Sequence, residues 1–359
     1  RVWADTGAAM RSMTPPPLPP AQTLGVRRLS VRDATILPGQ SLVVTADAAV
    51  VPELMDRVPL EPGLWEPGPD TCLSPWRKRG ATWDVTGAVE RRMQHSTVTL
   101  WRAEDARESL PVGISLFETV DDHFGHGMLD LLHRLRAVQD IPRDWPVLVS
   151  ERMPANIVAW VGLLCPGRRV IRCRPGRVLA IRHLVVPLEA ARLWQQPRVG
   201  DGSQPVPATI DPSGMRWLQE IGARASTGGH RRLWIRRDRS PHSAIRGESD
   251  LVGIARRRGF EDVFLQDLTL NQARDLMAQA SHVVAPMASA VANAVLAQPG
   301  LRVLQLTDEL TALDRYGSLL WLPSMGHDAG LIVGRSDPSG YRVSPGALED
   351  GLDWLLRAS

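Results

Sequence analysis

Between Glu118 and Leu135 the chain reads ETVDDHFGHGMLDLLHRL, and proton-handling groups crowd this stretch: Asp121, Asp122, His123, His126 and Asp130. A general base that takes a proton from a hydroxyl needs a pKa near the working pH. A histidine meets that need, and so does a carboxylate raised by burial. His126 and Asp130 are four residues apart, which places both on one face if the stretch is a regular helix. Gly125 and Gly127 leave room for close approach of a ligand. The candidates for base rank as His126, Asp130, Asp122 and His123. Asp121, Asp122 and His123 also carry metal-ligand atoms, but no spaced partner set completes a metal site, so none is expected. The bland alternative is a buried, hydrogen-bonded His126 beside an Asp130–Arg134 pair.

A second set of residues suits phosphate chemistry. Arg236 and Arg237 end one predicted strand, Pro286-Met287-Ala288-Ser289 link another to a predicted helix, and Thr307-Asp308 end a third. Free amides at a helix start favour an anion such as a diphosphate. An arginine fork can hold the same phosphates. Neither G-x-G-x-x-G nor G-x-x-x-x-G-K-[ST] occurs, which argues against a standard dinucleotide or P-loop site.

These positions draw meaning from the elements that must hold them. Apolar spacing predicts strands over 113–118, 145–150, 169–173 and 179–186, and helices over 125–138 and 154–164. In the second half a β-α-β-α-β-α-β rhythm runs through strands at 232–237, 262–266, 282–286 and 302–307. A helix at 212–225 precedes them, and helices at 249–258, 269–280 and 289–297 separate them. Such alternation implies a parallel sheet with right-handed crossovers, whose ligands bind beyond the carboxyl ends of the strands. The fold class is therefore α/β. Short strands over 26–53 suggest a β-rich subdomain at the N-terminus. The expected divisions are a Pro-rich leader (1–25), an N-terminal domain (26–205), a C-terminal Rossmann-like domain (206–344) and a closing amphipathic helix (345–359).

Composition narrows the function classes. Hydrophobic residues make up 43% and charged residues 23%, an ordinary globular balance. No apolar run reaches the ~18 residues of a membrane span, and the first residues lack a signal-peptide pattern. Lys78 is the only lysine among 42 basic residues. That bias fits GC-rich coding of the actinobacterial kind, so the arginines are weak grounds for nucleic-acid binding, and none is expected. Cys72, Cys165 and Cys173 match no zinc or redox spacing, which fits a reduced cytoplasmic interior. The Trp-rich stretch 65–101 reads as packing rather than an interaction module.

The chain resembles glycosyltransferase family 61. The family's Gly-His-aromatic-Leu-x-Asp segment corresponds to Gly125-His126-Gly127-Met128-Leu129-Asp130, and the following Leu-Pro-Arg-Leu to Leu132-His133-Arg134-Leu135. Its strand ending in Arg, its Asn-Glu pair and its Gly-Phe correspond to Arg237, Gly247-Glu248 and Gly259-Phe260. Its Pro-His-Gly-Ala-x-x-x-Asn corresponds to 286–293, PMASAVAN. Three departures stand out: Met287 for His, Ala288 for Gly, and Gly247 for Asn. The resemblance implies a GT-B-like fold of two Rossmann-like domains and an inverting, metal-independent transfer. The sugar would move from a nucleotide-sugar donor to a hydroxyl acceptor, a glycan or a small natural product. No cofactor is implied beyond that co-substrate. Donor-binding positions would be Arg236, Arg237, Glu248, Met287, Ala288, Ser289, Asn293 and Thr307, with Glu248 on the ribose or sugar and Asn293 fixing the turn. The alternative is a catalytically degenerate nucleotide- or sugar-binding protein. Oligomeric state is not legible.

Overall fold

The structure, a computed structural model, describes residues 2–5, 10–13, 28–36, 38, 43–44, 89–92, 97–100, 108–117, 122–174, 178–188, 211–224, 230–236, 245–286, 289–308, 318–337 and 340–357. The chain divides into two units. One comprises residues 26–127 and 134–188, and the other residues 1–25, 128–133 and 189–359. The opening strands β1 (Val2–Asp5) and β2 (Met10–Met13) belong to the second, C-terminal unit. Two strands, at 2–5 and 10–13, thus lie within the stretch expected as a Pro-rich leader (1–25). VWAD and MRSM form an antiparallel pair at the edge of the C-terminal sheet.

In the N-terminal unit, β3 (Arg28–Ile36) and β4 (Val43–Val44) precede a separate hairpin of β5 (Val89–Arg92) and β6 (Thr97–Leu100). Then come β7 (Glu108–Ser115), β8 (Val147–Ser150), helix α1 (Ala155–Leu164), β9 (Val170–Cys173) and β10 (Leu179–Pro187). The six-stranded sheet runs β4-β3-β10-β7-β8-β9. Strands β10, β7, β8 and β9 are parallel, while β3 and β4 add antiparallel pairs. The predicted β-rich subdomain is thus an extension of this mixed sheet. Central β8, VLVS, is buried throughout, as expected of a strand covered on both faces. Gly113 permits that closeness, since a Cβ there would lie 2.8 Å from Leu148 Cδ1.

The regular helix predicted over 125–138 is replaced by three windings. One α-turn (Phe124–His126) leads into a π segment (Gly127–Leu131) and a 3₁₀ segment (Leu132–Val138). Gly127 lies against α1, where a Cβ would meet the Ile157 side chain at 2.9 Å.

The C-terminal unit is a doubly wound sheet. Its elements are α2 (Pro212–Gly222), β11 (Arg231–Ile235), α3 (Glu248–Arg257), β12 (Phe260–Val263), α4 (Leu270–Ala278) and β13 (Ala280–Pro286). After them come β14 (Arg302–Asp308), α5 (Ser318–Ser324), β15 (Asp328–Asp337), β16 (Gly340–Arg342) and α6 (Pro345–Leu356). Local chemistry sets the boundaries. Asp211 caps α2 through the Ser213 amide at 3.0 Å, with Pro212 in the first turn. Thr269 and Gln272 form a capping box on α4. Gly259, at φ +82°, stops α3. The strand predicted at 262–266 lies earlier, at Phe260–Val263, because Leu265 turns inward on a 3₁₀ turn (Leu265–Asp267). The helix predicted at 289–297 is a 3₁₀ helix, Ser289–Leu296. Strands β15 and β16 and helix α5 had not been predicted. Helix α6 packs its Leu348, Leu352 and Leu355 with Leu251, Ile254 and Ala255 of α3, over the sheet of its own unit. It is the closing amphipathic helix expected from 345 onward.

Candidate active site

Each unit places its candidate residues at a topological switch point. In the N-terminal unit the chain winds from β7 to β8 to β9, and β10 then joins the opposite side of β7. Ligands of open α/β sheets bind in the crevice where winding reverses, beyond the carboxyl ends of the strands. The chain leaving β7 at that point carries Asp122, His123 and His126. His123 is exposed, and Asp122 and His126 are half-buried. The two imidazoles meet edge to face, with ring centres 5.0 Å apart. Burial raises the Asp122 pKa, against the smaller opposing pull of the Arg152 and His126 charges. Arg152 was not foreseen, because it is thirty residues away in sequence and reaches the cluster through the β8–α1 connection.

Asp130 behaves differently. It is 2% exposed, within a run in which Met128, Leu129, Leu131 and Leu132 are also buried, and this run is counted with the C-terminal unit. The shared face inferred for His126 and Asp130 assumed 3.6 residues per turn. The π segment between them breaks that period, so one residue stays half-exposed while the other is interior. His133 is buried too, and its Cβ would lie 3.1 Å from a Cβ built at Gly214.

In the C-terminal unit the five parallel strands β11–β15 run in the order β12-β11-β13-β14-β15. Counted from β11 this is 2-1-3-4-5, with its switch point between β11 and β13. Arg236 follows β11, and its amide donates to Val263 O at 2.8 Å, which continues the ladder by one residue. Its guanidinium lies 4.9 Å over the Phe264 ring and near two carboxylates, Glu248 at 3.8 Å and Asp262 at 3.6 Å. Glu248 opens α3, and its Oε1 accepts the Trp234 indole N–H at 3.1 Å. Asp262 is held below the usual carboxylate range, first by its hydrogen bond from Arg256. Trp234 and Asp262 are register partners on β11 and β12, so period-two counting along both strands could have found this cluster.

On the other side of the switch point, Pro286 ends β13 opposite Leu306 of β14. Asn293 donates to Ala290 O at 2.9 Å within the 3₁₀ helix. Thr307 is buried at the end of β14. Arg237, Met287 and Ala288, together with Asp121, lie outside the described residues, as does the side chain of Ser289.

Gly247 explains one departure from the family pattern. Its backbone is left-handed, φ +72° and ψ +27°. Glycine adopts that region freely, and asparagine is among the few residues that visit it routinely. An asparagine could therefore meet the same backbone demand at this position. A Cβ here would have only Asp250 Oδ2 nearby, at 3.8 Å.

Among the described residues, no group of three His, Cys, Asp or Glu side chains is placed to hold a metal ion. None of their helices is long and apolar enough to cross a membrane. No curated protein matches the chain. A family model described as Glycosyltransferase 61 matches residues 124–304, from the start of the His126 segment into β14. That match covers half of the chain, and the chain belongs to glycosyltransferase family 61.

Proposed function

We propose that this glycosyltransferase moves a sugar from a nucleotide-sugar donor to a hydroxyl of a glycan or small-molecule acceptor, with inversion and without a metal. The fold reading behind it is GT-B-like, with one Rossmann-like unit for the nucleotide and one for acceptor and base. The observation that carries the proposal is the 2-1-3-4-5 strand order of the C-terminal unit. Open α/β sheets bind ligands beyond the carboxyl ends of the strands at such a switch point, which here lies between β11 and β13.

The reaction is a single displacement. The base takes the acceptor's hydroxyl proton as its oxygen bonds to the anomeric carbon, and the bond from that carbon to the phosphate oxygen breaks. The nucleoside diphosphate leaves with the electron pair. Arg237 and the backbone from Ala288 to Ser289 are assigned to its charge, a preorganised contribution worth about 2.7–4 kcal/mol per donor. The base candidates are His126, Asp122 and His123, each half-buried or exposed. Asp130 comes last because it is buried.

Thermal shift against UDP, GDP, TDP and their sugars should reveal a stabilising donor. The anomeric proton of the product, read by NMR, should then show a configuration opposite to the donor's. Retention, or activity lost in EDTA and restored by Mn²⁺, would contradict the mechanism. His126→Ala should keep donor affinity and lower turnover by about a hundredfold. Near-normal turnover would move the role to Asp122. A second reading, binding without catalysis, draws on Met287 in place of the family's His. It would be supported by nucleotide-sugar binding with neither transfer nor donor hydrolysis.

A further inference from the structure

A diphosphate held by the chain after β11 and the chain after β13 carries a nucleoside that extends to one side, over the end of β14 or over the end of β12. The β14 side is occupied by the protein itself. Strand β15 folds back into β16, and Tyr341 of β16 donates its hydroxyl to Leu306 O of β14 at 2.8 Å. Gly334, the register partner of Asp308, has no room for a Cβ because the Arg342 carbonyl lies against it. Tyr341 O accepts the Arg246 amide at 2.8 Å, which ties β16 to the chain before α3. The β12 side presents an aromatic ring. Phe264 directly follows β12 and is half-buried, whereas Trp234 and Tyr341 are buried. Among the described residues it is the one aromatic side chain with exposed surface at the carboxyl end of a strand in this sheet. Its place is fixed on several sides. Phe264 O accepts the Asp267 amide at 3.2 Å, Leu265 beside it is buried, and the Arg236 guanidinium lies 4.9 Å over its ring.

We infer that Phe264 stacks against the nucleobase of the donor, with the Arg236 guanidinium on the opposite face of its ring. The inference rests on the nucleotide reading above and adds the residue that meets the base. Every nucleobase has a π-face, so an aromatic side chain stacks on any of them. A guanidinium over the far face adds a cation–π contact that holds the ring in place. Leucine at this position would keep apolar contact with its neighbours but would offer no flat face.

Calorimetric titrations with UDP, GDP, TDP and inorganic pyrophosphate separate a base contact from a scaffold. Phe264→Leu should weaken whichever nucleoside diphosphate binds by about tenfold and pyrophosphate by less than about twofold. Phe264→Tyr keeps a ring and should bind within about twofold of the unaltered protein. In NMR spectra of the unaltered protein, base protons of the bound nucleotide should show nuclear Overhauser contacts to a phenylalanine ring. Phe264→Tyr should move those contacts to a tyrosine ring, a readout that remains if the leucine variant fails to fold. Unchanged affinity in Phe264→Leu, or equal losses for nucleotide and pyrophosphate, would overturn the inference. So would the absence of ring contacts, or contacts that Phe264→Tyr leaves on a phenylalanine. Failure of the unaltered protein to bind any of the three diphosphates would instead sink the nucleotide reading itself.

Discussion

The two ends of the C-terminal sheet use the same residue types for opposite purposes. At the amino ends, Arg232, His282 and Arg302 are register partners on β11, β13 and β14, three basic residues side by side. Like charges so placed repel. The row persists because helices α3 and α6 bring the ends of their carbonyl ladders to it. Arg232 donates to Arg258 O, the C-cap of α3, at 2.7 Å. Arg302 donates to Trp354 O at 2.9 Å and to Arg357 O, the C-cap of α6, and it covers the Trp354 ring. His282 bonds toward the Leu355 carbonyl, and its pKa is lowered first by burial and then by the two arginines. Arg232 and Arg302 complement the negative ends of two helix dipoles. At the carboxyl ends the helix polarity is the opposite. Helix α3 starts there, and the sole described arginine after β11, Arg236, is balanced by side-chain carboxylates. Strand direction, more than residue type, separates scaffold from site.

The amino end also holds the largest expected pH effect. His327 precedes β15 and is 3% exposed. Gln219 spends its two amide hydrogens on Ala297 O at 2.9 Å and Met325 O at 3.3 Å. The His327 Nε2, 3.1 Å from Ala294 O, therefore donates to that carbonyl. Its Nδ1 has no hydrogen-bond partner among the described residues, so a proton there would be buried without an acceptor. Burial pushes its pKa down to about 4. The folded value lies below the unfolded ~6.5, so the unfolded chain gains the proton first as pH falls. Stability should be full above about pH 6.5 and fall toward pH 4, by roughly 3 kcal/mol from this residue. Urea unfolding at several pH values should show the drop, and His327→Gln should flatten it. An equally steep curve in the variant would place the acid sensitivity elsewhere.

A paired substitution tests the comparison itself. Arg302→Ala removes two carbonyl partners and a ring contact, and should cost about 2–3 kcal/mol of stability without changing nucleotide affinity. Arg237→Ala should do the reverse, with affinity lower by on the order of tenfold or more and stability within about 0.5 kcal/mol. Unfolding curves and calorimetry on both variants decide it. If Arg302→Ala weakened nucleotide binding as Arg237→Ala does, the division between the two ends would fail.

How much of this was legible in the sequence follows the same division. The Thr269 cap, the Gly259 stop and the alternation from β11 to β14 were readable because each depends on residues close in sequence. The His126 segment misled because its apolar spacing, Met128, Leu131, Leu132 and Leu135, is helical in period, although the chain winds through π and 3₁₀ turns. The buried Asp130 could not be told from an accessible one by spacing. Strand β1 was hidden by the prolines that follow it, since its partner β15 lies more than 300 residues away. Arg236 was correctly placed at a strand end, but its two carboxylates come from the next helix and strand.

The smallest effect concerns Gly247, where the family pattern has asparagine. The left-handed backbone at φ +72° should accept Asn at a cost within about 1 kcal/mol, and the open space around its Cβ adds no clash. A β-branched residue has no such tolerance, so Gly247→Val should lose a further 1–2 kcal/mol or so from strain at the start of α3. Because Glu248 follows directly, that strain should also loosen the carboxylate beside Arg236, and nucleotide affinity should fall with stability in the valine variant alone. Thermal unfolding of the two variants, read beside nucleotide titration, checks both statements. A destabilised Gly247→Asn would mean that the family's asparagine serves there through its side chain, and that this chain has lost that contribution rather than replaced it.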